Sequence, residues 1–331
     1  MRLDKVTARV FCTLNGGKQS GNPVTIFASS AAIPQQTQVR LAQQCTWESV
    51  MVDTSRQVLQ FYMPTGEQVN FCAHAAMGGV TQLSHTMEQP LTFYSALQIL
   101  TGNQQPQQRQ STATVHDGHV VSLELRETWQ ASKITQPASL HRLLREACGI
   151  SASSLVASSQ NAWPTFVNYS TARPKTLVYL NSPTVLHQAR APTNPAVFQR
   201  ACDALETTGL YFYTPKTDHH DDNDNDETSL SFECRQFPRA SAYPEDPATG
   251  IAASALAVAL QKETFLQRPP VAYKFYQGTA MGRPSLIHVD NLEFHSSDDN
   301  DDEEQVSFRL LGQVQIDDRE EIEEECDGAV E

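Results

Sequence analysis

The stretch LSFECRQFPRASAYPEDPATGIAASAL, residues 230–256, carries the pattern that decides the fold. Apolar and polar residues alternate over Leu230–Phe237, which predicts a half-buried strand. Pro238 ends this strand, a short loop follows, and a run of small residues predicts a helix starting near Asp246. Few side chains of this helix are bulky, so it is suited to close packing on every side, as inside a rolled sheet.

The same pattern occurs earlier, over residues 58–80 (VLQFYMPTGEQVNFCAHAAMGGV). An alternating strand at Val58–Met63 precedes Pro64, a short loop and a small-residue helix starting near Cys72. Cys72 lies eight residues after Pro64, and Asp246 lies eight residues after Pro238. Each copy also follows a predicted helix and an apolar strand, at Gln36–Gln44 with Ser49–Val52 and at Pro195–Leu205 with Leu210–Tyr213. Two copies of one supersecondary unit explain this order most simply.

The length and charge of the chain agree with two domains and a small-molecule ligand. A chain of 331 residues suits two domains, which we predict at 1–128 and 129–316, followed by an acidic tail at 317–331. The net charge is −14, but the segments 217–227, 298–304 and 317–331 together carry −20. The remainder is mildly basic and lacks the clustered Lys, Arg and aromatic residues of a nucleic-acid groove. We therefore expect no nucleic-acid partner and a small, anionic substrate.

Several segments are predicted to lie outside the packed cores. The acidic runs at 217–228 and 296–305 are too poor in apolar residues to repay ordering and are expected to be mobile surface insertions. The acidic tail is expected to be disordered, with a frayed helix as an option at Glu320–Glu325. The Gln-rich stretch Gly102–Gln110 is expected to be a loop between strands.

Apolar runs and cysteines bear on location and on metals. The sequence has no run of about 20 apolar residues, as a membrane span requires, and no signal-peptide pattern at Met1–Val6. We expect a cytoplasmic protein with no membrane partner. The seven cysteines are scattered and form no CxxC pair, which argues against a disulfide scaffold or a zinc site. His219 and His220 lie in an acidic run, where metal binding would be weak and adventitious.

The starts of the two small-residue helices are the candidate reactive positions. The first four N–H groups of an α-helix lack internal partners and attract anions. If the two repeats face each other, each helix start brings a side chain able to move protons into one cleft. These side chains are Cys72 or His74 on one side and Glu245 or Asp246 on the other. An acid and a base across such a cleft suit proton abstraction next to a carboxylate.

Each candidate also has a purely structural interpretation. Asp246 before Pro247 could be an ordinary helix N-cap. His74 could be a hydrogen-bonded core residue, and Cys72 could be inert packing. Glu48 interrupts an apolar run after Trp47, where it is either a half-buried reactive carboxylate or a surface-facing strand residue.

A family resemblance selects among these interpretations. The segments that carry it are GNPV (21–24), WES (47–49), FCAHA (71–75), PEDPATG (244–250), QG (277–278) and GRPS (282–285). In this order they resemble the phenazine biosynthesis (PhzF-like) family, relatives of diaminopimelate epimerase, over about residues 6–289. The resemblance implies an α+β, diaminopimelate-epimerase-like fold of two pseudo-symmetric domains. In that fold each domain is a rolled, mostly antiparallel sheet around a central helix, the second helix beginning at about Pro247.

The resemblance also implies an activity and a set of site residues. It implies a cofactor-independent isomerase of secondary or amino-acid-derived metabolism, without a metal and typically a homodimer, with the active site between the domains. The acid/base glutamate corresponds to Glu48, with His74 and Asp246 as the other catalytic residues. The substrate-binding positions are Asn22, Cys72, Ala73, Thr249, Gly250, Ile251, Gln277 and Gly278.

Three positions depart from the family pattern. Trp47 replaces a serine before the glutamate, Ala73 replaces a glycine, and Ile251 replaces a serine after Thr-Gly. Each change makes the expected pocket bulkier or more apolar, which argues for a substrate less polar than a phenazine precursor. Two alternatives stay open: a thiol-dependent epimerase using Cys72, and a non-catalytic protein that binds a small molecule. Cys234 is a poor second thiol for the former, since it lies on the strand before Asp246.

Overall fold

The computed structural model describes most of the chain, with short gaps. The described residues are 1–14, 16–84, 90–96, 108–134, 137–151, 154–155, 163–216, 229–239, 243–263, 270–296 and 304–324. Four segments discussed above therefore lie wholly or mostly outside the described residues: the acidic runs 217–228 and 296–305, the Gln-rich residues 102–107 and the end of the tail at 325–331. The chain forms two compact units. One consists of Met1–Glu124 and Leu311–Glu331, and the other of Leu125–Leu310. They are called the first and second unit below.

The first unit begins with strands and has two α-helices among its described residues. Its elements are β1 (Arg2–Val10), β2 (Asn22–Ser29), α1 (Gln35–Gln43), β3 (Ser49–Asp53), β4 (Val58–Tyr62), β5 (Gln68–Val69), α2 (Ala73–Ser84), β6 (Leu91–Ala96) and β7 (Gln108–His116). Strand β8 (Val120–Thr128) leads the chain into the second unit.

Among the described residues of the second unit there are four α-helices. Its elements are β9 (Gln130–Lys133), α3 (Pro137–Cys148), β10 (Val167–Ser170), β11 (Lys175–Tyr179), α4 (Pro183–Gln188), α5 (Pro195–Ala204), β12 (Gly209–Pro215), β13 (Ser229–Pro238), α6 (Gly250–Glu263), β14 (Ala272–Gln277) and β15 (Ser285–His295). Strand β16 (Gln305–Glu323) leads the chain back into the first unit.

The two units repeat one order of strand pairing, which confirms the predicted internal repeat. In the first unit β2 pairs parallel with β3, β3 antiparallel with β4, β4 parallel with β6, and β6 antiparallel with β7. In the second unit β11, β12, β13, β14 and β15 follow the same parallel–antiparallel–parallel–antiparallel order. Helices α2 and α6 occupy corresponding crossovers. The pairs β1–β2, β4–β5, β7–β8, β9–β10 and β10–β11 are antiparallel, so the predicted α+β, mostly antiparallel architecture is correct.

Both crossover helices are central to their units because small residues let the strands approach them. Residues 73–83 of α2 and 250–260 of α6 are all buried. A Cβ added to Gly78 would lie 2.9 Å from Val24 Cγ1, and one added to Gly79 would lie 3.1 Å from Leu59 Cδ2. The glycines thus bring α2 close to β2 and β4, and this packing outweighs their low helix propensity.

The acidic tail is the main departure from the sequence prediction. Residues 317–323 are neither disordered nor helical but form the end of β16, which pairs antiparallel with β1. The Arg9 guanidinium, 4% exposed, donates to both carboxylate oxygens of Asp317 at 2.7–3.0 Å. Lys5 Nζ lies 2.7 Å from Glu320 Oε1. Basic residues of β1 therefore neutralise the tail's acidic residues, and a composition rule applied to the tail alone misses this pairing.

Within the described part of the chain, none of the helices combines the length and apolar character needed to cross a membrane.

Candidate active site

In the first unit, Glu48 and His74 are close together and buried. Glu48 directly precedes β3, and its carbonyl accepts a hydrogen bond from Thr25 N–H at 3.2 Å, continuing the parallel ladder to β2. His74 is the second residue of α2. Both are buried, at 7% and 6% exposure, and Glu48 Oε2 lies 3.8 Å from His74 Nε2. The separation exceeds a hydrogen bond but allows one after a small shift, as catalytic contacts often do before substrate binds.

The start of α2 joins three of the predicted positions. Cys72 immediately precedes the helix, and its carbonyl accepts a hydrogen bond from Ala76 N–H at 2.8 Å. Its Sγ lies 3.4 Å from His74 Nδ1. Ala73 is 4% exposed at the first position of the helix. Asn22, also predicted, is fully buried at the start of β2.

In the second unit, Asp246, Thr249 and Gln277 form one hydrogen-bonded group. Asp246 Oδ2 accepts from Thr249 Oγ1 at 2.6 Å and Oδ1 accepts from Ala248 N–H at 3.2 Å. Gln277 Nε2 donates to Asp246 O at 2.7 Å and to Thr249 Oγ1 at 3.1 Å. Thr249 N–H donates to Gln277 Oε1 at 3.3 Å. The Asp246 carboxylate is therefore held in a fixed orientation just ahead of α6.

This group changes the predicted helix start. Helix α6 begins at Gly250, three residues after Pro247, and the carbonyl of Thr249 accepts from Ala253 N–H at 3.0 Å. Asp246 is thus not the helix N-cap of the purely structural interpretation, because its own turn to Ala248 and Thr249 comes first. The first turn contains the predicted positions Gly250 and Ile251, the latter 9% exposed.

Gly278 packs against the backbone of Pro247, next to the group of Asp246, Thr249 and Gln277. Its φ of +79° is rare for residues with side chains. A Cβ there would lie 2.2 Å from Arg283 O and 2.7 Å from Pro247 O. Only glycine lets the turn after Gln277 approach the backbone beside Asp246 this closely.

Glu245, the alternative to Asp246, is already used by the fold. Its carboxylate accepts from Arg235 Nε and Nη2 at 2.8 and 2.7 Å, and both side chains are nearly buried. The other terminal nitrogen of Arg235 donates to carbonyls at the end of α4, including Leu186 O at 3.0 Å. Glu245 therefore anchors the segment before Asp246.

Lys175 is a buried charged group that the sequence did not indicate as a site residue. It begins β11, is 5% exposed, and its Nζ lies 3.4 Å from Thr208 O. Burial, with repulsion from Arg173, lowers its pKa to about 7, while the charge of Asp246 acts in the opposite direction. The one available signal was a lysine opening the apolar run Lys175–Tyr179.

Comparisons with known proteins agree with this architecture. The sequence matches the family model described as phenazine biosynthesis-like protein over residues 18–313. A search of curated proteins finds no significant match.

Solved structures show the same fold at low sequence identity. A PhzF-family phenazine biosynthesis protein from Bacillus anthracis is 16% identical with a TM-score of 0.70, covering 97% of this chain and 99% of that one. A predicted epimerase from Pseudomonas aeruginosa is 20% identical with a TM-score of 0.67 and the same coverage. A putative PhzC/PhzF protein from Clostridium difficile is 16% identical with a TM-score of 0.63, again with this coverage.

Because the family match spans most of the chain, we conclude that the chain belongs to the phenazine biosynthesis-like family.

Proposed function

We propose that the protein is a cofactor-independent isomerase that moves a proton on a small, carboxylate-bearing metabolite, with Glu48 as the acid/base group. One observation carries the proposal: two buried ionisable side chains, Glu48 and His74, lie 3.8 Å apart at the start of a central helix. Buried ionisable pairs cluster at functional sites. Family membership supports the isomerase class.

In the proposed reaction the Glu48 carboxylate takes a proton from a carbon of the substrate. The electron pair left behind delocalises over a conjugated C=C–C=O group of the substrate, the proton on Glu48 exchanges with solvent, and Glu48 then gives a proton to a different carbon of that group. The C=C bond moves, one proton is taken and one is given back, and the reaction needs no other reactant. His74 orients the Glu48 carboxylate before the first step and again after the second, when Glu48 is ionised. The N–H groups at the start of α2, near Ala73 and His74, suit the negative charge of the substrate or of the intermediate.

Asp246 is assigned to the same reaction as a second polar group. Its hydrogen bonds to Thr249 and Ala248 fix its direction, as expected of a group that orients a substrate. The remaining predicted substrate positions, Asn22, Cys72, Gly250, Ile251, Gln277 and Gly278, are part of the proposal. Trp47, Ala73 and Ile251 favour a substrate with an apolar portion near these positions.

The test is a substrate screen in heavy water. Purified protein is incubated in D₂O with pooled small carboxylic acids, and mass spectrometry records which acids gain one deuterium on carbon. The proposal expects at least one acid to be labelled by the wild type and not by Glu48→Gln. Tight ligand retention without labelling would favour the non-catalytic binder and contradict the isomerase.

A thiol-dependent epimerase is the second candidate, because Cys72 Sγ lies 3.4 Å from His74 Nδ1. A neighbouring imidazole can activate a thiol as a base. An epimerase that uses two thiols, one on each side of the substrate, would need a second cysteine opposite Cys72. Cys234 is a poor one, since it is 3% exposed and burial raises its pKa. Rapid inactivation by a thiol reagent, with protection by substrate, would support this candidate.

The quaternary state and cellular setting complete the proposal. We propose a homodimer in the cytoplasm that acts in secondary or amino-acid-derived metabolism. Light scattering coupled to gel filtration should give about twice the 36.7 kDa mass of the chain, and a mass of one chain over the working concentration range would refute the dimer. Cell fractionation tests the location.

A further inference from the structure

The imidazole of His74 lies between a thiol and a carboxylate. Cys72 Sγ is 3.4 Å from Nδ1 on one side, and Glu48 Oε2 is 3.8 Å from Nε2 on the other. All three side chains are at least nine-tenths buried. Each of the two ring nitrogens therefore faces its own polar group, and the two groups differ in chemistry.

The spacing along the chain builds this arrangement into the helix start. Cys72 lies just ahead of α2, where its carbonyl is held by Ala76 N–H at 2.8 Å, and His74 lies in the first turn. Helix geometry thus fixes the thiol and the ring relative to each other. Glu48 approaches from the start of β3, a separate element.

A neutral imidazole carries one proton, and its hydrogen bonds decide which nitrogen holds it. A protonated thiol can donate to Nδ1, which leaves the ring proton on Nε2, facing the Glu48 carboxylate. The other tautomer would place the lone pair of Nε2 against that carboxylate, which is repulsive. The thiol and the carboxylate therefore favour the same tautomer.

We propose that Cys72 is a positioning residue, which holds His74 as the Nε2–H tautomer so that the ring donates toward Glu48. The thiol then forms no covalent bond to the substrate and takes no proton from it. This inference rests on the proposed role of Glu48 for its effect on rate, but the tautomer itself can be measured without a substrate.

The variants Cys72→Ser and Cys72→Ala show whether the Cys72 thiol acts as a hydrogen-bond donor or only fills space. Serine keeps a hydrogen-bond donor, whereas alanine removes it. Cys45→Ala is the matched control, since Cys45 is a partly buried thiol of the same unit that contacts Leu41 O rather than a histidine. Circular dichroism and thermal unfolding of each variant establish that it is folded.

The first readout is the ¹⁵N chemical shifts of the histidine ring, with His74→Gln identifying the signals. We expect the Nε2–H tautomer in the wild type, in Cys72→Ser and in Cys45→Ala, and a mixture of tautomers in Cys72→Ala. A wild-type ring protonated at Nδ1, or a tautomer unchanged in Cys72→Ala, overturns the inference.

The second readout is the rate at which deuterium from D₂O enters the acid that the heavy-water screen identified. Cys72→Ala should fall about ten- to a hundredfold below the wild type, as for other groups that orient a ring, and Cys72→Ser, which keeps a donor, should exchange clearly faster than Cys72→Ala. If both folded variants lose all exchange, the thiol itself reacts and the inference is wrong. If no acid is labelled by any variant but the tautomer shifts as expected, the positioning role stands and the proposed isomerase fails.

Discussion

Replacing Glu245 with glutamine should destabilise the second unit by several kcal/mol. The carboxylate and Arg235 form two hydrogen bonds at 2.7–2.8 Å, and their side chains are only 8% and 7% exposed. Glutamine leaves the guanidinium buried without its counter-charge, a change that costs about 3–5 kcal/mol in buried pairs. Carbonyls at the end of α4, such as Leu186 O, still accept from Arg235, so we expect the lower half of that range.

Urea unfolding monitored by circular dichroism measures this loss. The matched control is Glu146→Gln, since Glu146 pairs with Arg145 at 3.4 Å while both are more than half exposed. Exposed pairs of this kind contribute about 0–1 kcal/mol. Replacing both Arg235 and Glu245 with leucine should recover only part of the lost stability: no charge stays buried, but carbonyls such as Leu186 O lose their donor. A cost for Glu245→Gln no larger than that of the control would refute the reasoning.

Two further predictions concern buried groups near Asp246. Burial lowers the pKa of Lys175 to about 7, so above pH 7 the folded state binds fewer protons than the unfolded state and the free energy of unfolding rises with pH. Urea unfolding should show the stability difference between wild type and Lys175→Met changing by about 2–3 kcal/mol from pH 7 to pH 9; a constant difference would contradict the lowered pKa. Gly278→Ala should cost about 2 kcal/mol or more, because it adds a clash with Arg283 O to the strain of a positive φ. In thermal unfolding, Gly278→Ala should lose more stability than the control Gly282→Ala, where φ is +73° but the space is open. Equal losses of stability in the two variants would exclude the clash.

Local patterns predicted most of the fold. The alternating strands lie within one residue of their predicted limits, and the small-residue helices start one and four residues after Cys72 and Asp246, because each element depends on a side-chain period and on nearby breakers. The start of α6 shifted from Pro247 to Gly250 since the Asp246 side chain forms a turn of its own.

Features that depend on distant residues could not be predicted in this way. The tail at 317–323 is a strand because it meets β1 at the other end of the chain. The pairing of Arg235 with Glu245 and the burial of Lys175 also depend on tertiary packing. At the candidate site, sequence motifs nominated Glu48, Cys72 and His74, but the contact of the ring with the thiol required coordinates.

The role of Glu48 is tested most directly by one comparison of rates. Three proteins are compared: the wild type, Glu48→Gln and the control Glu67→Gln, which changes an exposed glutamate of the same unit. Each is mixed in D₂O with the unlabelled acid that the screen identified, and NMR follows the deuterium that the acid takes up. The account predicts that Glu48→Gln exchanges at least about a hundredfold more slowly, within the range for removal of a general base, while Glu67→Gln matches the wild type. Exchange by folded Glu48→Gln at the wild-type rate would contradict it.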